Sequence, residues 1–250
     1  MKRYKAVLFD LFSTVAIWHA DRMPVFEWRG KTSRSTVGVL RQTLEEHALE
    51  IPFAAFIDGL AAANEELAAR RAAELKEFPS IARFALALHK AGYPATEETR
   101  HLAQALSLKH MEVLSSVVDI PATHISFLAR MAAVYPLALV SNFDHGPTAR
   151  AILQRDEAAR YFDPIVISDE HGWRKPHPSI FSDTLARLGV KAQDALYVGD
   201  SVADDIVGAK GAGLDIAWVN ERDAALPDNS PAPDYVVTAI PDLASILLRA

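Results

Sequence analysis

The sequence predicts an α/β protein: a Rossmann-like parallel sheet with helices on both faces, interrupted by an inserted four-helix cap domain. Three observations carry that expectation. Short, almost wholly apolar runs alternate with helical runs over the second half of the chain, as strands buried on both faces of a parallel sheet require. One apolar run near the start, Ala6-Val7-Leu8-Phe9, ends abruptly at Asp10 and has no strand partner nearby. Between the two, apolar positions recur only at helical spacing.

Taken in order, the first strand delivers Asp10 to the edge of a sheet where ligands of open α/β folds bind. Ala16 to Ser33 has no clean period and reads as an irregular linker. Val37, Leu40 and Leu44 then mark a first helix, and Phe53, Phe56, Ile57, Leu60 and Leu67 a second. Pro79 suits the first turn of a third, with Ile81, Phe84, Leu86 and Leu88 behind it and Gly92 and Pro94 ending it. Glu97 to about Val117 forms a fourth, and no strand is expected from residue 19 to 120. Pro121 opens a helix to Ala133, and Leu137 to Val140 is a strand ending at Ser141-Asn142. Helices follow at Ala149–Arg160, Pro178–Leu188 and Ala203–Gly213, and strands at Ile165–Ser168, Ala195–Val198, Ile216–Val219 and Tyr235–Val237. A last helix starts at Pro241. The expected domains are therefore 1–18 with 121–250 as the α/β core, and 19–120 as the helical insertion.

Composition narrows the class. The 250 residues fit one large α/β domain or two smaller units, with half of them hydrophobic and 23% charged, as in soluble enzymes. A net charge of −6 argues against a nucleic-acid surface. With no cysteine, disulfides, thiolate metal sites and a cysteine nucleophile are excluded. No apolar stretch reaches the roughly 20 residues that span a bilayer, and the short apolar run after the N-terminal cations does not read as a signal peptide. A cytoplasmic protein, monomer or homodimer, acting on a small molecule and with neither nucleic-acid nor membrane partner is the expectation.

Four strand ends or following loops carry polar groups: Asp10, Ser141-Asn142, Lys175 and Asp200. Parallel strands bring such groups to one edge whatever their separation in sequence. Taken singly, each has a plainer explanation as a turn residue, a solvated lysine or a helix cap. Taken together they make coherent chemistry. Asp10 can act as a carboxylate nucleophile that splits one displacement into two. Asp200, with Asp205 or Asp204, supplies oxygens for Mg²⁺. Lys175 would offset charge on a transferring phosphoryl group, and Ser141 would hydrogen-bond its oxygens.

The ordered set Phe9-Asp10-Leu11-Phe12-Ser13-Thr14-Val15, Val140-Ser141-Asn142, Arg174-Lys175-Pro176 and Val198-Gly199-Asp200-Ser201 through Asp205 resembles the haloacid dehalogenase superfamily over the whole chain. The resemblance implies a nucleophile at Asp10, substrate contacts at Ser141 and Asn142, charge balance at Lys175, and Mg²⁺ at Asp10, Asp200, Asp205 and the backbone carbonyl of Phe12. Position 12 departs from the family's phosphatases, which carry there a second aspartate that protonates the leaving group. Phe12 can instead only line the substrate site. Dehalogenases of the family also have an aromatic residue there, but work without metal and lack the acidic fourth motif.

The sequence therefore points to a Mg²⁺-dependent phosphatase of small phosphorylated metabolites working through an aspartyl-phosphate. The alternatives are a metal-independent 2-haloacid dehalogenase using Asp10, or a binding protein that has lost turnover. Trp28, Arg29 and Lys31 read as a charged linker, and Arg70 and Arg71 as a solvated helix face.

Overall fold

Asp10 follows a strand, β1 (Ala6–Phe9), whose side chains are all buried. In the computed structural model, which describes residues 3–47 and 49–248, β1 lies inside a six-stranded sheet. Residues 1, 2, 48, 249 and 250 of the expected domain spans lie outside the described residues. The other strands are β2 (Leu137–Ser141), β3 (Ile165–Ile167), β4 (Ala195–Gly199), β5 (Asp215–Val219) and β6 (Tyr235–Val237). Their order across the sheet is β6-β5-β4-β1-β2-β3, and every pairing is parallel. The order reverses at β1, which lies between β2 and β4. That reversal opens the crevice in which ligands of doubly wound folds bind.

Register sets what reaches that crevice. Phe9 pairs with Leu139 on one side and Val198 on the other, so Asp10, Ser141 and Asp200 emerge together. Alternation along the strands sends Leu8, Val140 and Tyr197 into one apolar cluster with Ile180, Phe181 and Ile216. Phe9 packs on the opposite face, edge-on to Phe127 and Phe162.

The chain divides into two compact units, residues 1–18 with 119–250, and residues 19–118. In the second, helices span Val37–Glu45, Phe53–Glu74, Ser80–Lys90 and Glu97–Ser116. They bury Leu40, Phe56, Leu60, Phe84, Leu88, Leu102 and Leu106 in one cluster. Pro79 precedes the third helix as its cap instead of entering its first turn. Arg70 is surface-exposed, but Arg71 is not a solvated residue: its Nε pairs at 2.9 Å with Glu77, whose side chain is 2% exposed.

The expectation of an irregular linker over residues 16–33, with no strand from residue 19 to 120, is wrong: the start of this second unit holds two strands. Val25–Trp28 and Lys31–Arg34 form an antiparallel hairpin, joined by Arg29 and Gly30 at φ 48° and 74°. Two successive positive φ values are what a tight hairpin turn between twisted strands requires. Trp28, Arg29 and Lys31 thus belong to the hairpin. It escapes the strand pattern because Lys31–Arg34 is wholly exposed and Val25 is 60% exposed. Only Phe26 and Trp28 pack inward, with ring centres 6.2 and 5.7 Å from Phe53.

Two helix boundaries in the α/β unit also differ from expectation. The helix expected from Ala149 begins at Gly146, because Pro147 in a first turn forfeits no hydrogen bond; it ends at Arg155, before Glu157 at φ 56°. The helix expected over Ala203–Gly213 is a wide π turn, Val202–Ile206, leading into Val207–Gly211. The amides of Asp205 and Ile206 both donate to Ser201 O, at 2.9 and 3.1 Å, which widens the turn by one residue. Such widened turns recur at functional sites. Among the described residues, no helix is long and apolar enough to cross a membrane.

Candidate active site

Four segments meet at the C-terminal edge of the sheet. Asp10 is buried at the end of β1, its amide donating to Val198 O at 2.8 Å. Lys175, on the loop that follows β3, is 1% exposed. Its ammonium lies 2.7 Å from Asp10 Oδ1 and 2.7 Å from Asp205 Oδ1. Asp200 completes the group: Asp10, Asp200 and Asp205 each offer a carboxylate oxygen within 4.8 Å of the others. Asp204 faces Arg174 at 4.0 Å instead, and is not in the cluster.

Asp205 is fully buried and held on both oxygens, Oδ1 by Lys175 and Tyr197 and Oδ2 by the Ser201 amide at 2.9 Å. Gly199 makes room for it, since a Cβ there would collide with the Asp205 carboxyl group. Asp200 lies beside it, its backbone carbonyl accepting from Trp218 Nε1 at 2.8 Å.

Electrostatics at this edge are unbalanced. Burial pushes the Asp10 carboxyl up to about 8; Lys175 pulls it down, and Asp205 and Asp200 push it further up. Burial, then Asp205, raises Asp200 to about 6. Burial also raises Asp204. For Lys175, burial disfavours the charge, yet Asp10 and Asp205 outweigh it and hold the ammonium above the ordinary lysine range. Three carboxylates around one ammonium leave negative charge uncompensated in a low-dielectric site. This donor set, hard oxygens converging with charge to spare, fits a small divalent cation, with Asp10, Asp200 and Asp205 as the residues to hold it.

The remaining expected site residues occupy distinct places. The Ser141 hydroxyl is fully buried at the end of β2 and has no hydrogen-bond partner among the described residues; Thr14 Oγ1 is in the same condition. Asn142 spends its amide on the backbone of Lys175, accepting from Lys175 N at 2.7 Å and donating to Lys175 O at 3.0 Å. Phe12 packs into an aromatic cluster, 4.7 Å between ring centres from Phe143 and 6.2 Å from Trp18.

One residue was invisible to the motif reading. Tyr197, fully buried within β4, reads in sequence as one more apolar strand position. Its hydroxyl nevertheless lies 2.9 Å from Lys175 Nζ. The only signal was a phenol two residues ahead of Gly199-Asp200 in an otherwise aliphatic run.

Comparison with known proteins agrees with this geometry. The family described as haloacid dehalogenase-like hydrolase matches residues 4–213. The rat N-acylneuraminate-9-phosphatase is 32% identical over 152 residues, 60% of this chain and 58% of that protein. A glyceraldehyde 3-phosphate phosphatase of Pyrococcus furiosus is 38% identical over 97 residues, 38% of this chain and 40% of that protein. The chain thus aligns with less than two thirds of the length of either relative. A solved structure described as a 2-haloacid dehalogenase of Pseudomonas syringae pv. Tomato superposes over 98% of this chain and 99% of that one, with a TM-score of 0.75 and 25% identity.

Proposed function

Because this chain belongs to the haloacid dehalogenase-like hydrolases, we propose that it is a Mg²⁺-dependent phosphatase acting on a small phosphorylated metabolite. The observation that carries the reading is the convergence of Asp10, Asp200 and Asp205, two of them paired with a single ammonium. Similarity to two named phosphatases supports it. In the same reading, residues 1–18 with 121–250 are the hydrolase core and the helical unit over 19–120 is its cap.

Asp10 is the nucleophile. One carboxylate oxygen attacks phosphorus, the leaving group departs with its bonding pair, and water then cleaves the aspartyl-phosphate to free phosphate and the carboxylate. Bound Mg²⁺ supplies charge neutralisation at the phosphoryl oxygens and, at Asp10, an offset to the burial and repulsion that favour its protonated, non-nucleophilic form. Asp10, Asp200 and Asp205 would hold the ion, with the backbone carbonyl of Phe12 as the further ligand that the family resemblance implies. Lys175 contributes fixed positive charge beside the nucleophile. Ser141 Oγ, buried and otherwise unpartnered, donates to a phosphoryl oxygen, and a phosphoryl group supplies the acceptor that this hydroxyl lacks. Asn142 acts on the substrate side by holding the Lys175 loop in place. Phe12 has no proton to give, so substrates with good leaving groups are favoured.

A second reading has its own support. Phe12 sits among Phe143 and Trp18 where an acid would assist a phosphatase, and the likeness to the Pseudomonas syringae dehalogenase runs nearly end to end. In that reading Asp10 displaces halide from carbon, and neither an acid nor a cation is needed. A turnover screen of phosphate esters, acyl phosphates and 2-haloacids, with Mg²⁺ and with EDTA, separates the two. The phosphatase reading expects phosphate release that EDTA abolishes. Halide release indifferent to EDTA would replace it.

A further inference from the structure

We propose that Tyr197 is a positioning residue that completes the hydrogen bonding of the Lys175 ammonium and so fixes its charge beside Asp10. The inference rests on the roles given above to Asp10 and Lys175.

An ammonium has three hydrogens and no lone pair. Lys175 Nζ has three acceptors at bonding distance: Asp10 Oδ1 at 2.7 Å, Asp205 Oδ1 at 2.7 Å and Tyr197 OH at 2.9 Å. Every hydrogen is therefore placed, and the third acceptor is supplied by the phenol alone. Tyr197 OH accepts from Lys175 and has a single hydrogen of its own, with two acceptors in reach: Asp205 Oδ1 at 3.1 Å and Val140 O at 3.2 Å. Burial, with Asp205 and Asp10 nearby, holds that phenol well above its ordinary range.

The placement has a cost that packing does not explain. Tyr197 pairs in register with Leu8 in the middle of the sheet and lies in the apolar cluster, its ring edge-on to Phe181 at 5.3 Å. A phenylalanine would fill the same ring volume there without burying a hydroxyl, which is costly unless it is partnered. The group that donates to it is the ammonium, and its own hydrogen faces Asp205 and Val140 O. Asn142 secures the same lysine from the other end, with two hydrogen bonds to its backbone. Held at both ends, the Nζ group cannot swing toward an incoming anion without breaking a bond. Lys175 thereby acts on the substrate through charge, and one oxygen of Asp10 stays tied to it.

Tyr197→Phe in the full chain tests this. With p-nitrophenyl phosphate and saturating Mg²⁺, kcat should fall about tenfold to a hundredfold, since one buried N–H loses its acceptor, while KM stays within about threefold. A hydroxyl that only supported the core would lower the thermal midpoint and leave kcat per folded molecule unchanged. A kcat within twofold of the parent overturns the proposal. Should the parent not hydrolyse this ester, the phosphatase reading fails, and an independent measurement still decides the role of Tyr197. In protein labelled with ¹⁵N-lysine, with Lys175→Met to assign the signal, the parent should show a slowly exchanging Nζ ammonium resonance that Tyr197→Phe loses. Its persistence in that variant, or its absence from the parent, overturns the proposal.

Discussion

The two units of this molecule bury polar groups in opposite ways. In the helical unit they cancel locally. Glu77 accepts from Arg71 Nε at 2.9 Å and from the Phe78 amide at 3.1 Å. Ser107 donates to Ser80 at 2.9 Å, and Thr96 and Thr99 cap each other at the start of the fourth helix. The half-buried His110 is pushed down to about 3 by burial and by Arg83, with Thr36 Oγ1 2.7 Å from its ring. At the sheet edge of the α/β unit the charges do not balance: Asp10 and Asp200 are pushed up, and one lysine is shared between two carboxylates, with Asp200 beside them. Polar groups that balance hold a fold together. A cluster left with excess charge costs stability, and is retained where another charged species completes it.

Substitutions on each side sharpen that contrast. The largest effect belongs to Asp10→Asn, which should cut phosphatase turnover by about 10³-fold or more. It should leave the thermal midpoint unchanged or raised, because it removes one of the crowded carboxylates. Turnover within tenfold of the parent would rule out a covalent role for Asp10. The mirror experiment lies in the helical unit. Glu77→Ala removes the carboxylate that accepts from Arg71 and from the Phe78 amide; Arg71 is 22% exposed and keeps its bond to Phe78 O, so the expected loss is about 2–3 kcal/mol, below the full cost of breaking a buried pair. A urea titration reads it, and turnover per folded molecule should stay within about twofold. A variant that keeps its stability and loses turnover would break the comparison.

The smallest expected effect is at Phe12. Phe12→Asp restores an acid beside Asp10 and should raise rates for poor leaving groups while doing little for aryl phosphates. It also removes a ring from the cluster with Phe143 and Trp18. The fair readout is therefore the slope of log rate against leaving-group pKa, which should become shallower. An unchanged slope would favour halide displacement over phosphoryl transfer.

Much of the fold was legible because burial on both faces leaves so plain a mark. Tyr235–Val237 and Pro178–Leu188 match their expected bounds, and the ends of β1, β2 and β4 lie within a residue of expectation. What failed to show was whatever owes its form to partners distant in sequence. The hairpin at Val25–Arg34 packs on Phe53 through only two side chains, too few to make a pattern. The widened turn at Val202–Ile206 depends on which amides reach Ser201 O, something no periodicity encodes. At the site, carboxylates and lysine announced themselves because such groups are rare at apolar strand ends. Tyr197 did not, since a tyrosine in a strand is ordinary until its hydroxyl is seen to meet Lys175, 22 positions away.

The most direct test of the account is calorimetric titration of Mg²⁺ into the EDTA-stripped chain and into its Asp200→Ala variant. If Asp10, Asp200 and Asp205 form an acidic cluster that a cation completes, the parent should bind one Mg²⁺ and the variant should lose that binding or weaken it at least tenfold. Equal affinity in the two proteins, or no binding in the parent, would contradict it.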